Sequence, residues 1–174
     1  MKAGEEATRL QARVSLGSNG RTEVSTGLPV LDHLLELLAS RAEFDLQLEV
    51  APGGPDAATA AAGRALGEAL RDLLAEEEAK GYGSAIVPAD EALASIALEA
   101  SGRPLLVSNV DLSDAHVAGF DRDLVSGFLS ELADAAGLTL HVRLLHGEDA
   151  SHVLEAIFKA LGGALAAAGA PRKE

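Results

Sequence analysis

The sequence predicts an α+β protein made of two ββαβα halves, and three observations carry that prediction. A helix-forming segment occurs twice: Ser151 to Gly162 repeats Asp56 to Gly67 at a constant offset of 95 residues, which pairs His152 with Ala57, Glu155 with Ala60, Lys159 with Arg64 and Gly162 with Gly67. A stretch of alternating apolar and polar residues precedes each copy, Phe44 to Val50 in one half and Leu138 to Leu144 in the other. Gly53-Gly54-Pro55 breaks the chain before the first helical copy, and Ala79-Lys80-Gly81-Tyr82-Gly83 links the two halves. Residues 1–80 and 81–174 are therefore read as half-repeats fused into one globular unit, each a small sheet with two helices on one face.

The elements follow in order. Thr8 to Leu16 alternates as a half-buried strand, Ser18-Asn19-Gly20 reads as a turn, and Arg21 to Thr26 returns, which predicts a hairpin. Leu31, Leu34, Leu35 and Leu38 have helical spacing, and the Phe44–Val50 strand follows. Gly53-Gly54-Pro55 then opens an alanine-rich helix of high intrinsic propensity. Ala79 to Gly83 links the halves. Strands near Glu91 to Glu99 and Leu105 to Asp111, a helix from Arg122 to Ala136, the Leu138–Leu144 strand and the His152 helix complete the second half. The expected core includes Leu31, Leu35, Leu38, Phe44, Leu132, Leu140, Phe158 and Leu165.

Composition bounds the function. A chain of 174 residues that is 48% hydrophobic can bury a substantial core. A net charge of −13, from 27 acidic and 14 basic residues, argues against nucleic acid or anionic membrane surfaces as partners. No apolar run is read as long enough to cross a bilayer, and the acidic start is unlike a targeting peptide, so a cytoplasmic location is expected. Without cysteine there is no thiolate or disulfide chemistry. His152 and Glu155 are the sharpest feature, because residues three apart on a helix share a face, the arrangement that helical metal sites use. The first copy has alanine at both positions.

The segments Thr26-Gly27-Leu28-Pro29-Val30-Leu31-Asp32-His33, Val87-Pro88-Ala89-Asp90-Glu91-Ala92, Ser101-Gly102-Arg103-Pro104, Leu138 to His141 and His152 to Ala160 together resemble imidazoleglycerol-phosphate dehydratases along nearly the whole chain. The resemblance implies helices packed between two four-stranded sheets, assembly of trimers into larger shells, and a lyase of histidine biosynthesis. In that family two manganese ions bind the substrate imidazole and help to expel a hydroxyl. Carried over by position, it implies His33, His141, His152 and Glu155 as metal ligands, Arg103 and Lys159 as phosphate contacts, and Glu91 and Lys159 as catalytic remnants.

The same resemblance implies losses. Asp56, Ala57 and Ala60 stand where the family has His, His and Glu, and Ser151 replaces a further His. Ala7 stands for a catalytic Glu, Gly81 for an Arg, and the family's Pro-Ser-Thr-Lys-Gly tail has no counterpart at Ala170 to Glu174. Two readings follow. One is a non-catalytic binding or scaffold relative with no tightly bound cofactor and at most one weak divalent ion. The other is a dehydratase, or a related metal-dependent lyase, with a rearranged or shared site. The expected partner is a second copy of the chain, as a trimer rather than a shell of about 24 chains, or an intact dehydratase in co-assembly. His116 and His146 match no ligand position and are expected to be solvated.

Overall fold

Among the described residues, four helices lie between two sheets. The structure, a computed structural model, describes residues 11–17, 21–110 and 122–172. Thr8 to Leu10, the Ser18-Asn19-Gly20 turn, Ala7, Asp111 and His116 lie outside them. The first half contributes β1 (Ala12–Gly17), β2 (Glu23–Ser25), α1 (Pro29–Ala42), β3 (Asp45–Val50) and α2 (Pro55–Leu74). The second contributes β4 (Tyr82–Ala89), β5 (Ala92–Glu99), β6 (Leu105–Ser108), α3 (Arg122–Ala136), β7 (Thr139–His146) and α4 (Ala150–Gly169). The bounds of α2 and α4 reproduce the 95-residue offset at both ends.

The expected hairpin is corrected. β1 and β2 do not pair with each other; β3 lies between them, antiparallel to β1 and parallel to β2. The reason is burial. Leu46, Leu48 and Val50 give β3 a continuous apolar face that suits the centre of the sheet, whereas β2 has only three residues to pair. The second sheet runs β4-β5-β7-β6 and repeats this plan, with β7 antiparallel to β5 and parallel to β6. Its additional strand, β4, occupies Tyr82 to Ala89, part of which the sequence reading took for a linker. β4 alternates Gly83, Val87 and Ala89 inward with Tyr82, Ser84 and Ile86 outward, and glycine and proline within it mask the pattern. The second sheet has the four strands implied by the resemblance, and the first has three among the described residues.

Each half packs its helices against the other half's. α4 lies against α1 and the inner face of β4 and β5, while α2 lies against α3 and the inner face of β1 and β3. Two of the close helix–helix approaches are made by glycines related by the repeat. A Cβ on Gly162 would stand 2.2 Å from the Leu38 carbonyl of α1, and one on Gly67 would stand 2.8 Å from the Leu132 carbonyl of α3. Phe128 and Phe158 bridge α3 and α4 with ring centroids 5.4 Å apart. The expected core residues are buried, except that Phe44 is only partly so.

One further expectation is corrected. α4 is long and apolar enough to cross a membrane by length and composition alone. Its apolarity has another use. α4 is sandwiched between a sheet and α1, and Val153, Leu154, Ile157, Phe158, Leu161 and Leu165 are all buried.

Candidate functional site

The residues with chemical potential gather where α4 begins. Asp149 caps the helix, its carboxylate accepting from the backbone amides of Ser151 at 2.8 Å and His152 at 3.3 Å. Facing it is the turn between β4 and β5, where Asp90 adopts a left-handed backbone with φ of 51°. The sequence reading took Glu91 as the entrance to a strand; it lies in this turn, directed at α4. Glu91 Oε1 accepts from the amides of Asp149 at 2.8 Å and Glu148 at 3.3 Å, and Oε2 lies 2.6 Å from His152 Nδ1.

These contacts set the local charge. The hydrogen bond from the Asp149 amide is the main cause that holds the Glu91 carboxyl down at about 2, with the Glu148 amide and His152 adding to it. The hydrogen bond to Glu91, and then the charges of Glu91, Asp149 and Asp90, raise His152 above the ordinary imidazole value. Asp90 Oδ2 is 3.3 Å from His152 Nε2, so each ring nitrogen faces a carboxylate.

His33 and Glu155 form a second group. His33 stands on α1, and its Nε2 is 3.5 Å from Glu155 Oε1 on α4. With Val30, Leu34, Ser151 and Leu154 they line a cavity of about 270 Å³. This cavity has a twin. The 95-residue offset takes Ser151, Leu154 and Glu155 to Asp56, Thr59 and Ala60, and a shift of 94 residues takes the buried Leu31, Leu34 and Leu38 of α1 to Val125, Phe128 and Leu132 of α3. Under that shift Val30 and His33 become Leu124 and Gly127. A cavity of about 200 Å³ is lined by Asp56, Thr59, Ala60, Leu124 and Gly127, together with Ser130 and Glu131. The positions of His33 and Glu155 are therefore filled by Gly127 and Ala60 in the other half, whose cavity has no imidazole and takes its carboxylates, Asp56 and Glu131, from other positions.

The remaining sequence candidates lie elsewhere in the chain. His141 is on the outer face of the second sheet, flanked by Ala97 and Val107. It lines an open cleft with Lys80, Tyr82, Ser84, Glu99 and Thr139, in which Lys80 Nζ sits 4.5 Å over the Tyr82 ring. Arg103 is in the exposed turn before β6, where its amide bonds Ser101 Oγ and its carbonyl accepts from Thr139 Oγ1. That turn is at the far end of β5 from Glu91, roughly 25 Å away at the usual strand rise. Lys159 follows Glu155 by one helical turn and is half-buried. His146 is exposed at the end of β7.

The donor set can be tested against the metals the resemblance implies. Among the described residues no group of three or more His, Cys, Asp or Glu side chains is placed to hold a metal ion. His33 with Glu155, His152 with its two carboxylates, and His141 are three separate places within one chain, so these residues alone do not fit a two-metal centre. Sequence reasoning missed Asp149 as a partner of the site. An Asp shortly before a helical run is a recognisable cap signal.

Comparison with known proteins gives one answer throughout. The family model for imidazoleglycerol-phosphate dehydratase matches residues 26–165. The curated imidazoleglycerol-phosphate dehydratase of Pelobacter propionicus is 40% identical over 163 residues, covering 91% of this chain and 83% of that protein. One from Clostridium botulinum is 38% identical over 169 residues, covering 94% and 85%. Among solved structures, the Staphylococcus aureus enzyme superposes with a TM-score of 0.86 at 32% identity, covering 93% of this chain and 95% of that one. The Pyrococcus furiosus enzyme gives 0.87 at 33%, covering 95% and 92%.

Proposed function

The chain belongs to the imidazoleglycerol-phosphate dehydratase family, and we propose that within it this protein is a non-catalytic member, which keeps the fold and a remnant pocket but does not carry out dehydration by itself. The observation that carries this reading is the twin cavity. Where one half holds His33 and Glu155, the other holds Gly127 and Ala60, with Ala57 where the repeat has His152. A methyl group or a hydrogen supplies no lone pair, and even the loss of groups that merely orient metal ligands costs about 10 to 100-fold in affinity. On this reading the protein holds no tightly bound manganese, works in the cytoplasm, and acts as a homo-oligomer or beside an intact dehydratase.

The comparisons taken alone favour a second reading, an active dehydratase or related lyase of histidine biosynthesis. Relatives with that name are 38–40% identical over more than nine-tenths of the chain, and the chain retains His33, His141, His152 and Glu155. Because these donors are dispersed within one chain, that activity would require a site shared between copies, with His141 of one meeting donors of another. One experiment separates the readings: conversion of imidazoleglycerol phosphate to imidazole acetol phosphate is assayed with the purified protein in manganese, together with elemental analysis after dialysis. The expected result is no turnover and well under one manganese per chain. Turnover accompanied by about two ions per chain would establish the second reading.

A further inference from the structure

We propose that Glu91 is a positioning residue: one carboxylate ties the β4–β5 turn to the start of α4 and fixes the His152 ring with Nδ1 turned toward the protein and Nε2 turned outward. Three contacts carry this. Oε1 takes the two amides of Glu148 and Asp149, just ahead of the first turn of α4, and this sets the plane of the carboxylate. Oε2 then meets His152 Nδ1 at 2.6 Å. A carboxylate held at one oxygen by two backbone groups has little freedom to turn, so the ring it grips has little as well. A short bond from Nδ1–H to a carboxylate selects the tautomer whose Nε2 lone pair is available, and in metal sites such a bond orients a ligating imidazole. Asp90, in the same turn, stands 3.3 Å from that Nε2 and competes for a proton there, but its contact is longer than the 2.6 Å contact of Glu91, which therefore sets the tautomer.

The repeat supplies an internal control. α2, the counterpart of α4, begins at Gly54-Pro55 with no side-chain cap and has Ala57 in place of His152. Where there is no imidazole to hold, the helix start has no side-chain cap among the described residues. Glu91 therefore acts through His152 and the backbone, which separates it from the catalytic role the resemblance implied. The assignment is independent of whether the chain turns over substrate.

The test is nitrogen NMR of the full-length protein labelled in histidine, at a pH high enough that His152 has become neutral in the same titration, with the His152 signals assigned by loss in His152→Gln. The wild type should show His152 protonated at Nδ1. Glu91→Gln keeps an acceptor for the Asp149 amide but loses the carboxylate, and it should return the ring toward the Nε2-protonated form that free imidazole favours while α4 stays folded. Glu91→Ala should in addition raise hydrogen exchange at the Glu148 and Asp149 amides by about tenfold or more. A residue that only braced the helix would lower thermal stability in Glu91→Gln and leave the ring signals unchanged; that outcome overturns the proposal. So does an Nε2-protonated His152 in the wild type, a measurement that needs no variant to fold.

Discussion

Replacing Gly162 by alanine forces a methyl group into the tightest helix contact described in the molecule. The new Cβ would lie 2.2 Å from the Leu38 carbonyl oxygen and 2.9 Å from Arg41 Cβ, both on α1. Ordinary contact begins near 3.4 Å, so α1 and α4 must separate by roughly 1 Å, and a backbone carbonyl cannot rotate aside as a side chain can. In its own helix alanine gains about 1 kcal/mol over glycine. Overpacking costs about 1–3 kcal/mol and sits at the upper end when backbone is the obstacle. The separation also loosens neighbouring contacts such as those of Leu34, Leu38 and Leu165. The net expectation is a loss of about 2 kcal/mol, or about 4–8 °C in Tm for a chain of this size. Gly127→Ala is the matched control: it lies in α3 with nothing within 4 Å of the new Cβ, and should gain up to about 1 kcal/mol from propensity alone. The assay is urea and thermal denaturation of both variants at one protein concentration. If Gly162→Ala were as stable as Gly127→Ala, the close α1–α4 crossing would be wrong.

Other outcomes follow from the same structure. Thr59 is buried and its hydroxyl has no hydrogen-bond partner among the described residues, so Thr59→Val should raise stability by about 1 kcal/mol in urea melts; a loss would reveal a partner for the hydroxyl. The Glu91 carboxyl, lowered from 4.5 to about 2, contributes stability that is present above pH 4.5 and disappears as pH falls toward 2, whereas raised His152 contributes below pH 6.5 and loses its contribution as pH rises through its folded value. Stability measured against pH should therefore lose part of its dependence on both flanks in Glu91→Gln, and an unchanged profile would contradict the clamp. From the family resemblance and the lost ligand positions, rather than from the structure, we propose that light scattering reports about three chains per particle, insensitive to manganese or chelator; a stable particle near 24 chains in chelator would show that larger shells form without metal bridges.

The sequence by itself determined the α+β class, the repeated helix segment, the existence of all four helices with the bounds of α3, and which donor residue types stand at each repeat position. Those properties are local: helical spacing, glycine and proline breaks, and residue identity at a fixed offset are all legible along the chain. Only the tertiary structure decided that β3 sits between β1 and β2, that Tyr82 to Ala89 is a strand, and that each half's helices cross those of the other at Gly67 and Gly162. It also decided that Glu91 reaches His152 across 61 residues while His141 stands on a different face. Strand neighbours and the meeting of side chains depend on which buried faces pack best over long chain separations, and alternation within one segment carries no record of its partner.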